Sequence, residues 1–165
     1  MMKKSIELTK ELLSYLGNYE ITNIFEENQN HEYEGVLFNI VDNSYRSRLA
    51  KLTPKKKGYF VVFWEKDTSN QNQAYRYSES PDKIIVSVID NQLKGQFIFP
   101  KSILMKQKVL SSDDSKGKMA IRVYPSWEKD LNNYAKKTQK WQTDFFIDLS
   151  ENIDMKKLEN VCIHF

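Results

Sequence analysis

A chain of 165 residues, 40% hydrophobic and 28% charged, suits one domain with a sizeable core and is too apolar for wholesale disorder. Its apolar runs reach only about six residues, far short of the roughly 20 that a membrane-spanning helix needs, and its single cysteine, Cys162, rules out an intramolecular disulfide or a cysteine-based zinc cluster. The net charge of +3 conceals a segregation: residues 1–43 carry −5, residues 44–140 carry +11 and residues 141–165 carry −3, the pattern of a basic centre suited to a polyanion or, more plainly, of a Lys-rich solvated face.

The first predicted element is an amphipathic helix over residues 5–16, with Ile6, Leu12, Leu13 and Leu16 near helical spacing and Gly17 placed to end it. Glu7, Lys10 and Glu11 interrupt any signal-peptide core behind Lys3 and Lys4, so a cytoplasmic location is expected. Ile21 and Ile24 suggest a short strand, and residues 26–31 a polar loop. Strands are expected over 33–41 and 45–53, followed by a turn, Thr53-Pro54-Lys55-Lys56-Lys57-Gly58. Residues 59–64 (YFVVFW) read as a strand covered on both faces, and the Asn- and Gln-rich residues 67–73 as an exposed loop. Residues 83–89 and 94–99 form a predicted hairpin across Asp90-Asn91-Gln92; Pro100 ends it, and a short helix follows over 101–108. After a loop at 111–117, residues 118–124 alternate, with Met119, Ile121 and Val123 on one face and Lys118, Ala120, Arg122 and Tyr124 on the other. A helix over 128–142 and a short one over 154–160 complete the chain. Together these describe one α+β domain, residues 1–165, with a mixed or antiparallel central sheet flanked by helices.

Three features point to a polyanion. Arg46, Arg48, Lys51, Lys55, Lys56 and Lys57 give six cations with no acid among them between Tyr45 and Tyr59. Arg46 and Arg48, two apart, share one face of a strand, and the lysines crowd a turn with free backbone N–H groups, a mixture suited to phosphate. The competing reading is a solubilising turn on an exposed strand. Second, Lys118, Arg122 and Tyr124 run on to Trp127, a cation row ending in aromatics that suits a single strand of nucleic acid; packing of Trp127 beneath the next helix is the alternative. Third, Leu131, Tyr134, Ala135, Thr138 and Trp141 trace a buried stripe on the following helix, while Asn133, Lys136, Lys137 and Lys140 trace a basic one that either follows phosphates or is simply its wet side.

Catalytic chemistry has less to build on. His31 sits in a polar loop and His164 is penultimate, leaving little for a nucleophile–histidine arrangement, and the five glycines form no phosphate loop. Glu32 and Glu34, with Asp42 and Lys51, sketch a metal-dependent nuclease in which acids hold Mg²⁺ and a lysine stabilises developing charge, but Leu49 stands where that pattern needs an acid. Pro81-Asp82 followed by Asp114-Ser115-Lys116 places its second half in a loop and is read as coincidence.

The runs Thr53-Pro54-Lys55-Lys56, Gly58, Phe60-Val61, Trp64, Phe99-Pro100-Lys101, Arg122-Val123-Tyr124-Pro125, Trp127 and Thr138-Gln139-Lys140-Trp141-Gln142 resemble the MepB family, across nearly the whole chain to about Leu149. The resemblance implies a small cytoplasmic bacterial protein, the founding member being encoded beside a multidrug-efflux pump and its repressor. It implies no catalytic residues and no cofactor. Its helix-then-strands order resembles the restriction-endonuclease-like fold, which makes nucleic acid a natural partner, and Leu49 then suggests a fold that binds without cutting. Non-catalytic nucleic-acid binding is therefore the leading expectation: Arg46, Arg48, Lys51, Lys55 and Lys56 on phosphate, Arg122 and Lys140 extending the track, Tyr124 and Trp127 stacking. The alternatives are a nuclease using Glu34, Asp42 and Lys51, or a regulatory module that binds a protein or small ligand linked to efflux.

Overall fold

A computed structural model describes residues 2–162, so His164 lies outside the described residues. Helix α1 (Lys4–Ser14) buries Ile6, Leu8, Leu12 and Leu13 along one side. Its first turn is held from a distance, because the Ser5 N–H and hydroxyl both donate to Glu34 Oε1, at 2.9 and 2.6 Å. Strands β1 (Ile21–Glu26), β2 (Val36–Ile40) and β3 (Asn43–Leu49) form an antiparallel meander. The second strand starts later than its sequence suggests: residues His31–Tyr33 make a 3-10 turn and Glu34 takes φ 50, which breaks the extended run.

The expected strand over 45–53 divides at Ala50. Its N–H bonds to the Ser87 carbonyl, the last tie to the first sheet, and the chain then crosses into β4 (Lys51–Leu52). Strand β5 (Tyr59–Val62) pairs with β4 and is buried on one face only, through Tyr59 and Val61, so the two-sided cover expected of residues 59–64 is not found there. The Asn- and Gln-rich stretch is no open loop. Strands β6 (Trp64–Lys66) and β7 (Asn72–Ala74) make a hairpin around Asp67, whose Oδ1 accepts from the Ser69 and Gln71 N–H groups.

Two-sided burial belongs to β8 (Lys83–Asp90), where Ile84, Val86 and Val88 enter one core and Ile85 the other. The expected hairpin joins β8 to β9 (Leu93–Pro100), with Asn91 at φ 56 in its turn. Helix α2 (Lys101–Lys106) follows, then β10 (Ala120–Val123), α3 (Asn133–Thr143), β11 (Phe146–Asp148) and α4 (Met155–Val161). The larger sheet has the order β1-β2-β3-β8-β9-β11 and is antiparallel except where β3 lies parallel to β8; a second sheet has the order β10-β5-β4. Helix α1 and α4 side chains fill one core with Phe38, Tyr45, Ile85 and Ile98, while Tyr59, Val61 and Val123 of the small sheet fill the other with Phe97, Phe99 and Phe146. The chain is thus a mixed α+β domain, and no helix among the described residues is long and apolar enough to cross a membrane.

Candidate nucleic-acid interface

Helix α3 begins at Asn133, not at the expected Glu128, because Asn132 caps it: its side-chain oxygen accepts from the Ala135 N–H at 2.8 Å. The expected stripe is kept except at its edge. Leu131 and Ala135 pack on Tyr124, and Gln142 is fully buried, whereas Tyr134, expected inside, is 72% exposed. Gln142 joins helix to strand. Its Nε2 donates to the Arg122 carbonyl at 2.9 Å and its Oε1 accepts from the Tyr124 N–H at 2.8 Å, so it satisfies β10 where no further strand does. Gln139 adds bonds to the Pro125 and Glu128 carbonyls at 2.9 and 3.2 Å.

Against this helix stands the outer face of the small sheet. Arg122 lies opposite Phe60, and Phe60 opposite Lys51, so register places cation, ring and cation in one cross-strand row. The Arg122 guanidinium lies 5.9 Å from the Phe60 ring centre, Tyr33 meets Phe60 edge-on at 6.3 Å, and the Lys51 ammonium lies 4.7 Å from the Tyr33 ring. Arg122 also fixes the lysine-rich turn, donating to the Lys57 carbonyl at 3.0 Å and to Thr53 Oγ1 at 2.5 Å. Lys57 reaches the other way, to the Lys129 and Asp130 carbonyls at 2.7 and 3.3 Å. Gly58, at φ 79, closes that turn against Tyr124: a Cβ there would meet the ring at 2.6 Å.

Between sheet and helix lies a cleft of about 830 Å³. Lys56, Lys118, Arg122, Lys137 and Lys140 bring five cations to it against one carboxylate, Asp144, and Phe60, Tyr124, Tyr134 and Trp141 bring four rings. The structure therefore unites Lys56, Arg122, Tyr124 and Lys140 of the expected set. Tyr124 is only 6% exposed, and burial raises its hydroxyl pKa, so it is floor more than stacking platform. Lys55 projects from the adjoining turn, and Lys51 stands at the far end of the row, 3.5 Å from Glu32 Oε2. Trp127 lies elsewhere. It packs edge-on to Tyr59 and Phe146 and donates to the Tyr59 hydroxyl at 3.1 Å, so it joins the core through β5 and β11 rather than stacking in the cleft.

Arg46 and Arg48 do share a face, as their spacing implies, but that face is inside. They are 7% and 0% exposed and both turn to Glu27, Arg48 Nη1 at 2.5 Å and Arg46 Nε at 3.3 Å from its Oε1. The Tyr75 hydroxyl donates to Glu27 Oε2 at 2.8 Å and accepts from Arg48 Nη2 at 2.7 Å, while the Arg46 guanidinium stacks 3.5 Å from the Tyr75 ring centre. Burial by itself would raise the Glu27 pKa, yet the charges of Arg48 and Arg46, with hydrogen bonds from Arg48 and Tyr75, hold it below its ordinary value. The surface phosphate role expected of these two arginines does not fit this placement. Nor do the nuclease residues assemble: Glu34 and Asp42 flank opposite ends of β2, and Glu34 is engaged by Ser5. Sequence reasoning passed over Glu27 as loop, although two arginines on one strand face ask for an acid. It passed over Gln142 as well, although a polar residue seven positions after Ala135 falls on the same buried side of the helix.

No curated protein matches the chain. Among solved structures, a crystal structure of MepB superposes with a TM-score of 0.81 at 42% identity, covering 92% of this chain and 100% of that one. A bacterial homing endonuclease superposes with a TM-score of 0.45 at 11% identity, over 83% of this chain and 84% of that one. The sequence profile of the MepB-like family matches residues 27–148, and the chain belongs to that family.

Proposed function

We propose that this protein binds nucleic acid, without cutting it, in the cleft between β10 and α3, and that it does so in the cytoplasm. One observation carries the reading: Lys56, Lys118, Arg122, Lys137 and Lys140 line a single cleft, and among the described residues none of them enters an ion pair. Unpaired cations held at one place cost folding energy through mutual repulsion, and a polyanion relieves it while releasing its own counterions. The non-cleaving part of the reading is supported by the separation of Glu34 and Asp42 by the length of β2, which denies Lys51 that pair of carboxylates.

The test is a salt series of fluorescence-anisotropy titrations with labelled oligonucleotides. Five phosphate contacts give a slope of log K against log salt near −3.5 for a single strand, at about −0.7 per contact. Lys137→Ala/Lys140→Ala, two exposed positions on α3, should reduce it to about −2 while leaving the melting temperature unchanged. A slope that the variant does not alter, or no binding at low salt, overturns the reading. A cleft of about 830 Å³ also falls within the roughly 300–1,000 Å³ of small-ligand sites, which favours a small-molecule regulator as the second reading. That reading expects binding that is insensitive to salt and tolerant of the lysine substitutions.

A further inference from the structure

We infer that the nucleic acid this cleft takes is an unpaired strand, held by phosphates at the lysine rim and by a base against Tyr134; the inference rests on the nucleic-acid reading above. A duplex turns its phosphates outward and keeps its base faces stacked, so it can use the rim and nothing else. The interior of this cleft is built for more than charge. Phe60, Ile121 and Trp141 line it together with the Tyr124 ring, and the apolar share of that lining has no counterpart on the outside of a double helix. Single strands present both parts at once, a charged backbone and free π-faces, and proteins that hold them pair a basic groove with aromatic platforms.

Tyr134 is the ring placed for that task. It stands in the first turn of α3, is 72% exposed, and stacks on no other ring among the described residues. A tyrosine at that position does nothing for the core, since Leu131 and Ala135 make the contacts to Tyr124. Three positions further along the helix stands Lys137 and six further stands Lys140, both on the same cleft, so the platform is bounded by cations on its own helix and by Lys118 and Arg122 across the gap. Trp141 leans one side on Phe99, with ring centres 5.5 Å apart, and so is held still at the back of the cleft.

The experiment compares, at one salt concentration, labelled oligo-dT and oligo-U strands with a mixed-sequence duplex of equal length, using the wild type, Tyr134→Ala, Tyr134→Phe and Lys137→Ala/Lys140→Ala. Single strands should bind tighter than the duplex. Tyr134→Ala should weaken single-strand binding roughly 5- to 150-fold with the salt slope preserved, and Tyr134→Phe should restore it. The dT and U arms, which differ in sugar and in the thymine methyl, show whether the DNA or the RNA strand is preferred, and preference for either supports the inference. Duplex binding equal to or tighter than single-strand binding, with a slope that flattens in the lysine variant, overturns the inference and leaves the nucleic-acid reading standing. So does a Tyr134→Ala protein with undiminished single-strand affinity. No binding to any of the three overturns both.

Discussion

Replacing Glu27 by glutamine is the sharpest test of how the basic segment is used. Arg48 is fully buried and Arg46 nearly so, and the Glu27 carboxylate is their shared counter-ion at 2.5 and 3.3 Å. Glutamine keeps the shape but removes the charge, leaving two guanidinium ions in the core without an anion. Breaking a buried pair in this way costs about 3–5 kcal/mol, which for a domain of this length lowers the melting temperature by roughly 6–20 °C. Thermal and urea melts at pH 7 read this directly, and a shift below about 2 °C would refute the account of a desolvated triad. Acid supplies a second readout. Because the folded-state pKa of Glu27 is depressed, its contribution is present above the unfolded-state value and is lost as pH falls through the folded one. The wild type should therefore lose stability below about pH 4.5 more steeply than Glu27→Gln. Binding gives a third. Were Arg46 and Arg48 phosphate ligands, removing their competing carboxylate would raise affinity and steepen the salt slope; their burial predicts no change in either while the variant is folded.

Two further outcomes are expected. Gln142→Ala leaves the Arg122 carbonyl and Tyr124 N–H unsatisfied at about 1–3 kcal/mol each and loosens α3, so urea melts and oligonucleotide titrations should show stability and affinity falling together, unlike Lys137→Ala/Lys140→Ala, which should lower affinity alone. Burial pushes the Cys162 thiol up to about 12, so at pH 8 a thiol reagent should label it only as fast as the protein opens, and rapid labelling would show α4 undocking by itself.

What the sequence made legible was governed by local pattern. The β8/β9 hairpin and the first helix follow from spacing that short-range sterics enforce, and the fold class follows from the order of the elements, whereas the alternation expected over 118–124 fails at Met119, which is exposed, and at Tyr124, which is buried. Of the expected set, Lys56, Arg122, Tyr124 and Lys140 come to one cleft, Arg122 and Lys140 from β10 and α3, Lys56 from the turn and Tyr124 as its buried floor. Tyr134 was misplaced because it stands at the edge of the stripe: Ala135 and Gln142, seven apart, mark the buried side of α3, and Tyr134 lies about 100° round the axis from Ala135. Glu27 was illegible for a different reason. It lies at the end of β1, 19 and 21 residues from its arginines, and nothing in a linear pattern records that a loop acid will be drawn inward.

The segment from Arg46 to Lys57 looks like a single basic run, and the fold treats it as two. The division is at Ala50, where the chain leaves the large sheet for the small one. Upstream, β3 lies between β2 and β8 with the small sheet packed over one face, so any side chain on that face is enclosed. Downstream, β4 is an edge strand, and Lys51 and the turn lysines remain in water. The residue types follow the same division. Both enclosed cations are arginines, whose planar fork can bond a carboxylate, a tyrosine hydroxyl and a backbone carbonyl at once, as Arg48 does with Glu27, Tyr75 and Val62. All four cations downstream are lysines, which are strongly hydrated and rarely tolerate full burial. Within this segment the choice of cation follows burial and separates a structural pair from a candidate binding surface within a dozen residues; elsewhere it does not, since Lys83 is buried and Arg76 exposed. Arg122 crosses that rule for a stated reason: it bonds the Lys57 carbonyl and Thr53, holding the turn in position, while its ring-facing side stays in the cleft.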